Sequence, residues 1–181
     1  MEDQLILEKF ADEHTREQAF SLLVKKYQEK LYWHVRRMVI DHDDADDLVQ
    51  EVFIKVWKNL GNFREESQLY TWLYRIATNE CITFLHKKKQ HQQISLDDDS
   101  AAYLTDTLAD SPYFDGDQAQ LKLQQALLTL PQKQRQVFNM KYFDELKYEE
   151  ISEILGTSIG ALKASYHLAV KKIEQYLSGH D

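Results

Sequence analysis

The sequence predicts an all-α protein in which two small helical domains are joined by an acidic linker, with a helix-turn-helix in the C-terminal domain. Only five glycines and two prolines interrupt the 181 residues. No stretch alternates apolar and polar residues with the period of two that a half-buried β-strand requires. Apolar residues instead recur three and four positions apart, which is the spacing of one buried helical face.

The distribution of charge predicts the domain boundaries. Residues 1–92 contain 14 basic and 16 acidic residues, residues 93–119 contain 0 and 7, and residues 120–181 contain 8 and 7. The net charge of -8 is therefore the sum of -2, -7 and +1, so most of it lies in one segment. We interpret residues 93–119, which include Ser-Pro and Asp-Gly breaks, as a linker. The overall acidity consequently does not exclude a nucleic-acid partner for the two domains.

Several classes of protein are disfavoured by composition and motifs. No apolar run approaches the roughly 18 residues of a membrane span, and the acidic N-terminus does not resemble a signal peptide, which predicts a cytoplasmic protein. Cys81 is the only cysteine, so neither an intramolecular disulfide nor a thiolate metal cage is expected, and we predict that it is a small buried apolar residue.

An enzyme or a cofactor-binding protein is also not indicated. The seven histidines are scattered, and neither an HExxH nor a GxxxxGK motif is present. A metal site formed by His42 and the neighbouring aspartates lacks a typical ligand spacing. We therefore predict no catalytic residues, no metal and no cofactor.

In the N-terminal domain the periodicity predicts helices near residues 4–11, 15–39, 43–59 and 68–89. The third contains DDADDLVQEVFIKVW, with acids concentrated in its first turn, where the helix dipole favours each by about 0.3–1 kcal/mol. These acids are open to two interpretations, a simple helix cap or part of a docking face for a basic partner. The second interpretation also accounts for Asp47, Gln50 and Glu51, which continue along the solvent side beside Ile54.

Aromatic and basic residues alternate in the next segment of the chain. A loop, LGNFREES, leads into QLYTWLYRIATNECITFLHKKK. Aromatic rings stack on unpaired bases and cations follow the phosphates, so this pattern favours binding of single-stranded nucleic acid. The alternative for any one ring is a place in the core, and Leu73, Ile76, Ala77 and Phe84 are expected to face inward.

The C-terminal segment predicts a helix-turn-helix. One helix begins at Pro131 and runs to about Tyr142, YEEISEIL forms a short helix that ends at Gly156, and a long helix begins near Ile159. Its outward face is small, polar and basic, which suits the DNA major groove. The alternative is a solvated helical hairpin used for protein contacts.

Taken together, the motifs DADDLVQEVFIKVW, FREES, TWLYRIATN, LPQKQRQVF and YEEISEILGTSIGALKASYH closely resemble the extracytoplasmic-function (ECF) group of bacterial RNA polymerase sigma factors. The resemblance extends from about Ala19 to Leu177. It implies a subunit that binds core RNA polymerase, through its beta-prime and beta subunits, and directs it to promoter DNA. A stand-alone helix-turn-helix regulator is the alternative, but it has no use for the acidic helix.

The resemblance also implies roles for individual residues. Docking on the beta-prime coiled coil is expected of Asp46, Asp47, Gln50 and Glu51. Reading and melting of the -10 element as single-stranded DNA is expected of Asn62, Phe63, Arg64, Trp72, Tyr74, Arg75, Asn79, Lys87 and Lys88. Reading of the -35 duplex is expected of Ser158, Lys163, Ala164, Ser165, His167, Lys171 and Lys172.

The resemblance also implies that a partner protein regulates this one. Members of this group are commonly inhibited by an anti-sigma factor, often at the inner membrane, which would hold a cytoplasmic protein there.

Two segments of the C-terminal domain depart from the pattern of the family. In the last helix, arginines are common where this chain has Ser165, Leu168 and Val170. This difference predicts a preference for AT-rich -35 elements and DNA binding that depends only weakly on salt concentration. Lys147 replaces the usual helix cap before Tyr148, so we expect a loss of about 1 kcal/mol unless Asp144 substitutes.

Overall fold

The computed structural model describes residues 2–92, 104–109 and 118–179, and within these ranges every regular element is helical. The all-α prediction is confirmed. The α-helices are α1 Glu2–Ala11, α2 Arg16–Val39, α3 His42–Asn59, α4 Leu69–His91, α5 Thr105–Ala109, α6 Gln118–Leu128, α7 Gln132–Phe138, α8 Tyr148–Leu155 and α9 Ile159–Gly179.

The four N-terminal helices form one bundle, with α2 in contact with the other three. Their bounds agree with the predicted helices to within three residues. The apolar stripe of α3 is buried as its spacing predicts, because Ala45, Val52 and Val56 are completely inaccessible to solvent. At the end of α3 the Trp57 ring meets the Phe10 ring edge-on at 5.5 Å between centroids, so α1 closes this end of the bundle.

A strained turn joins α2 to α3. Ile40 has a positive φ of 70°, which is unfavourable for a β-branched residue. Its carbonyl accepts a hydrogen bond of 2.6 Å from Nε of Arg36. The Asp41 carboxylate then accepts from the Asp44 amide at 2.9 Å and caps α3. These two contacts fix the direction in which the acidic helix leaves α2.

The C-terminal domain consists of α6 to α9. The sequence did not predict α6 as a separate helix, and it placed one continuous helix from Pro131 to about Tyr142. Instead α7 ends at Phe138 and is succeeded by a π-helical turn, Asn139–Phe143. Such a turn inserts one residue into the helical register and rotates the residues after it about the helix axis.

The helix-turn-helix is present as predicted. Gly156 ends α8 in the left-handed conformation, with φ 67°. Across the turn, Ser152 Oγ donates to the Thr157 carbonyl at 2.7 Å, and Ser158 Oγ accepts from the Ala161 amide at 3.3 Å at the start of α9. The small serine four residues before the glycine therefore ties the two helices together.

The two domains pack against each other, a point that the sequence left open. α8 lies against α4, and Val137, Met140, Ile151 and Leu162 belong to the same buried cluster as the N-terminal core. Leu104 and Leu108, which flank and occupy α5 inside the predicted linker, are also buried in this cluster. The described part of the linker therefore contributes to the core.

A buried ion pair crosses the domain interface. The Asp144 side chain is only 3% exposed, and its carboxylate lies 3.1 Å from His34 Nδ1 and 3.1 Å from Arg37. His34 Nε2 lies 2.9 Å from the Thr78 hydroxyl. Asp144 therefore does not replace the missing cap of α8, as the sequence had allowed, because its oxygens are committed to α2. Lys147 occupies the N-cap position without a side-chain cap.

The left-handed conformation of Gly156 yields a stability prediction. A Cβ added at Gly156 or at Gly160 would meet nothing within 4 Å, so only the backbone distinguishes the two positions. We expect Gly156→Ala to lower the free energy of unfolding by about 1 kcal/mol. Gly160→Ala, inside α9, leaves it unchanged or raises it by up to about 1 kcal/mol. Urea unfolding followed by circular dichroism checks both, and equal losses would contradict the prediction.

Cys81 provides a second prediction. The side chain is buried as the sequence predicted, and burial raises the pKa of the thiol well above its usual range. Because the thiolate is the reactive form, we expect native protein at neutral pH to react with Ellman's reagent many times more slowly than protein in concentrated urea. Rapid stoichiometric reaction of the native protein would show that Cys81 is accessible.

Candidate functional site

The outer face of α3 carries the residues predicted to dock on a partner. Asp46, Asp47, Gln50 and Glu51 are all exposed. Ile54 follows on the same face and is 47% exposed, which is high for a large apolar side chain. The helix therefore presents an acidic strip with an apolar residue at its end.

An apolar groove borders this acidic strip. Gln50 and Ile54 form one edge of the groove, and the remaining lining residues come from α2 and α3: Phe20, Val24, Gln28, Val49, Phe53 and Trp57. The T-shaped contacts of the Phe20 ring with Phe53 at 6.3 Å and with Trp57 at 5.1 Å fix the groove floor. Sequence reasoning missed this groove because the apolar residues of α2 read as ordinary core positions.

The acidic end of α3 is partly neutralised within the protein. Lys88 Nζ lies 3.2 Å from the Asp44 carboxylate. His42 Nε2 lies 3.3 Å from the Asp46 carboxylate. Asp44 is therefore paired with a lysine of α4. Further along α3, the side chains of Asp47 and Glu51 are exposed to solvent.

The loop after α3 and the start of α4 form a small pocket. The Phe63 and Trp72 rings lie 5.2 Å apart, tilted by 47°, and both are half-buried. The exposed guanidinium groups of Arg64 and Arg75 flank them, and Asn62 completes the set of predicted residues in the pocket. Two rings between two cations form a surface on which an unpaired base can stack while its phosphates contact the arginines.

A basic and polar stripe extends from this pocket along α4. Arg75, Asn79 and Lys87 are exposed, and they lie on one helical face because they are spaced by about a turn or two. Lys88 lies beside this stripe, 5.8 Å from the centre of the Phe84 ring, but its ammonium group pairs with Asp44. The end of α4 therefore carries basic side chains, one of which pairs with an aspartate of α3.

Tyr74 is not part of this surface. It is only 5% exposed, and its ring packs edge-on against the His34 ring at 4.8 Å. Burial and the neighbouring Asp144 carboxylate raise the pKa of Tyr74 well above its usual range. In this arrangement of the domains Tyr74 is an interface residue, because the C-terminal domain covers that side of α4.

The outward face of α9 carries the residues predicted to read duplex DNA. Lys163, Ala164, His167, Lys171 and Lys172 are exposed, so they share a solvent-facing strip of the helix. The Lys163 ammonium lies 5.8 Å from the centre of the Tyr148 ring of α8. Small residues interspersed with lysines let the helix approach base edges while the lysines reach the backbone.

Two of the residues predicted to read the -35 element make contacts within the protein. Ser158 is exposed but accepts the hydrogen bond that begins the helix. Ser165 is half-buried and lines a crevice with Ile82 of α4. In the packed form Ser165 therefore faces the N-terminal domain.

Three residues that line the pocket at the start of α4 were not predicted as site residues: Glu66 and Ser67 of the loop, and Glu153. Glu153 of α8 lines it together with Arg64 and Arg75. Sequence spacing gives no signal for this, because Glu153 comes from the other domain and reaches the pocket only through the domain contact. The pocket therefore contains two glutamates, Glu66 and Glu153, beside its two arginines.

The described part of the chain contains neither a candidate metal-binding cluster nor a candidate membrane-spanning helix. Among the described residues, no cluster of three or more His, Cys, Asp or Glu side chains is arranged to hold a metal ion. None of the described helices combines the length and the apolar character that crossing a bilayer requires.

Comparison with known proteins matches these surfaces to two family regions. Residues 23–91 match the model of Sigma-70 region 2 and residues 120–173 match that of Sigma-70 region 4. The first contains α3 and α4, and the second contains the helix-turn-helix. The presence of both regions disfavours a stand-alone helix-turn-helix regulator.

Curated relatives agree with these matches. The ECF RNA polymerase sigma factor SigW of Bacillus subtilis is 34% identical over 88% of this chain and 89% of its own length. The RNA polymerase sigma-H factor of Pseudomonas aeruginosa is 31% identical over 97% and 94%.

Two solved structures share the fold. CnrH, in complex with the cytosolic domain of CnrY, has a TM-score of 0.73 at 20% identity, covering both chains fully. RpoE in complex with the anti-sigma factor NepR from Bartonella quintana has a TM-score of 0.69 at 23% identity, over 88% of this chain and 96% of that one. The chain therefore belongs to the ECF group of RNA polymerase sigma factors, which direct promoter-specific transcription initiation.

Proposed function

We propose that the domain of residues 1–92 docks on core RNA polymerase through α3 and captures -10 bases through α4, while the domain of residues 120–181 reads the -35 element through α9. The observation that carries this proposal is that a single four-helix bundle presents an acidic docking strip and a pocket of paired rings and arginines on consecutive helices. Residues 93–119 connect the two DNA-reading domains.

The docking surface fits a basic helical partner that also carries apolar residues. Asp47 and Glu51 provide exposed negative charge, and Ile54 leads into the groove between α2 and α3. A helix laid into an apolar groove gains affinity from the buried side chains, while charges at the rim set orientation and association rate. The beta-prime coiled coil is the proposed partner of this surface, and the beta subunit contacts the C-terminal domain.

The -10 surface fits melted rather than duplex DNA. The ring planes of Phe63 and Trp72 are tilted by 47°, so a base can enter against one ring while the other supports it. Capturing a base outside the stack must offset an unstacking cost of a few kcal/mol. Stacking contributes about 1–3 kcal/mol per base. One or two captured bases therefore suffice to offset the unstacking cost and to favour the opened duplex over the closed one.

The protein has no catalytic role in this proposal, because its contribution to initiation is binding energy. We further propose that an anti-sigma factor controls it. Two proteins that share its fold were solved in complexes: RpoE with the anti-sigma factor NepR, and CnrH with the cytosolic domain of CnrY. A membrane-bound partner would hold this cytoplasmic protein at the inner membrane by covering the α3 strip.

The docking proposal predicts the effect of charge reversal. We expect Asp47→Lys combined with Glu51→Lys to weaken binding to core RNA polymerase about tenfold or more at low salt, because the substitutions turn attraction into repulsion. Fluorescence anisotropy of labelled protein titrated with core enzyme at two salt concentrations measures this. The salt dependence of the wild type should be steeper than that of the variant.

A matched control for that experiment is Glu13→Lys combined with Glu174→Lys. Both glutamates are exposed and lie outside α3, and the change in net charge is identical. We expect this variant to bind like the wild type. Equal weakening by both pairs would show that only net charge matters, and docking through α3 would then be wrong.

The base-binding pocket predicts the effect of removing one ring. We expect Trp72→Ala to weaken holoenzyme binding to a single-stranded -10 oligonucleotide by about 5- to 150-fold, the equivalent of about 1–3 kcal/mol of stacking. Binding of the same variant to core polymerase should be unchanged, because the ring lies away from α3. Trp33→Ala, which removes another tryptophan of the same domain outside the pocket, should retain wild-type affinity for the oligonucleotide. Loss of affinity in both variants would argue against a specific stacking role.

A further inference from the structure

We propose that Leu168 of α9 selects a thymine in the -35 element by packing against the C5-methyl group of that base in the major groove. This inference rests on the function proposed for α9, and it adds the chemical group that the helix recognises. Leu168 was not among the residues predicted to contact DNA. Its exposure, its neighbours on the helix surface and the chemistry of the base edges support the contact.

Leu168 is an exposed apolar side chain on a helix whose other large apolar side chains are covered. It is 45% exposed, and it belongs to neither of the two described apolar clusters nor to the residues packed against them. The other large apolar residues of α9 are buried or half-buried: Ile159, Leu162, Tyr166, Val170, Ile173, Tyr176 and Leu177. Folding therefore leaves the apolar surface of Leu168 in contact with water, which a binding partner can still displace.

The neighbours of Leu168 extend the apolar surface in one direction and provide positive charge in the other. Residues three and four positions apart lie side by side on a helix. Ala164 precedes Leu168 by four residues, Ala161 precedes Ala164 by three, and both alanines are exposed. Lys171 and Lys172 follow Leu168 by three and four residues and are also exposed. The helix therefore presents an apolar strip of two alanines and one leucine, with two lysines at its C-terminal end.

This apolar strip has the length of a few base pairs. Ala161 and Leu168 are seven residues apart, which corresponds to about 10 Å along the helix axis. Stacked base pairs are about 3.4 Å apart, so the strip extends over about three of them. The small alanines let the helix approach the floor of the major groove, where the longer leucine side chain reaches a base edge. The lysines are placed to contact phosphates, which fixes the helix in position without selecting a sequence.

The side chain of Leu168 suits one group among those that base pairs present in the major groove. The C5-methyl group of thymine is apolar, whereas the other groups that distinguish the base pairs there are hydrogen-bond donors and acceptors. Leucine can neither donate nor accept a hydrogen bond. Beside a G·C pair it would displace water from polar atoms without replacing their hydrogen bonds, which is unfavourable. Contact with Leu168 therefore favours thymine at one position of the -35 element.

This contact differs from two other sources of a preference for A·T pairs. The absence of arginines removes bidentate recognition of guanine. The shape of A·T-rich DNA can also favour such sequences without any contact to a base edge. Neither effect depends on the side chain of Leu168, whereas the methyl contact requires that side chain and the thymine methyl group together. Removing each partner in turn therefore separates the methyl contact from the other two.

The first experiment identifies the base that Leu168 contacts. Core RNA polymerase is combined with each full-length protein, and each holoenzyme selects from duplex promoter fragments that are randomised at both elements, after which the bound fragments are sequenced. The proteins are the wild type, Leu168→Ala, Leu168→Arg and a control, Leu5→Ala. The control truncates a leucine of α1 that is 49% exposed, so that neither alanine substitution removes a buried side chain.

We expect the wild type and Leu5→Ala to enrich thymine at the same position of the -35 element. Leu168→Ala should lose most of the enrichment at that position and retain the preferences at the others. Leu168→Arg should enrich guanine there, because arginine forms a bidentate pair with the major-groove edge of guanine.

The second experiment removes the methyl group itself. A duplex of the selected sequence is synthesised with deoxyuridine, which lacks only the C5-methyl group, in place of thymidine at the identified position. Fluorescence anisotropy measures holoenzyme binding to both duplexes. The wild type should bind the deoxyuridine duplex about fourfold more weakly, the effect expected for one buried methyl group. Leu168→Ala should bind the two duplexes equally, because its side chain no longer reaches the methyl group.

Two results would overturn the thymine contact. One is a loss of affinity for the deoxyuridine duplex that is as large in Leu168→Ala as in the wild type, which would indicate recognition of DNA shape. The other is a -35 preference that Leu168→Ala shares at every position with the wild type. Failure of the proposed function would look different, because the wild-type holoenzyme would then enrich no sequence in the -35 region and Leu168→Arg would change nothing.

Discussion

The Asp144 carboxylate is the constraint on which the arrangement of the two domains depends. A carboxylate that is 3% exposed requires charged or hydrogen-bonding partners, and His34 and Arg37 supply them from the other domain. The π-helical turn Asn139–Phe143 directs it there by ending the regular register of α7. With Asp144 anchored on α2, α8 lies against α4, and part of the C-terminal apolar core joins the N-terminal core. A second cluster stays separate in the C-terminal domain: Ala126, Leu127, Leu130, Phe138, Ala169 and Ile173.

The acidic helix α3 shows how one element serves stability and recognition with different faces. Its apolar stripe is buried in the bundle, and its first turn is fixed by Asp41 and by the pair of Asp44 with Lys88. These internal contacts use the acids nearest the helix start. Asp47 and Glu51, further along the helix, remain for a partner. In the proposed function this acidic stretch is therefore divided by position, because the acids at the start fix the helix and those further along dock on the partner.

Helix α4 also has two sides with different surroundings. Trp72 and Arg75 line the pocket at the loop after α3, whereas Tyr74 lies beside Phe143 and Asp144 of the C-terminal domain. A DNA-reading helix must expose aromatic and polar groups, and exposed aromatic surface favours association. Packing α8 against α4 buries part of that surface in this structure.

Local sequence patterns predicted the four N-terminal helices, the order of the domains, the acidic run of α3, the aromatic and basic residues of α4 and the helix-turn-helix. Local periodicity, turn residues and charge runs suffice for such features. They did not predict α5, α6 or the π-helical turn after α7. Contacts between the domains account for the burial of Tyr74, for the place of Glu153 in the pocket and for the contact of Asp144 with α2 instead of the start of α8. These outcomes depend on side chains about 70 to 110 positions apart, and one sequence contains no signal for which distant groups meet when two apolar surfaces pack together.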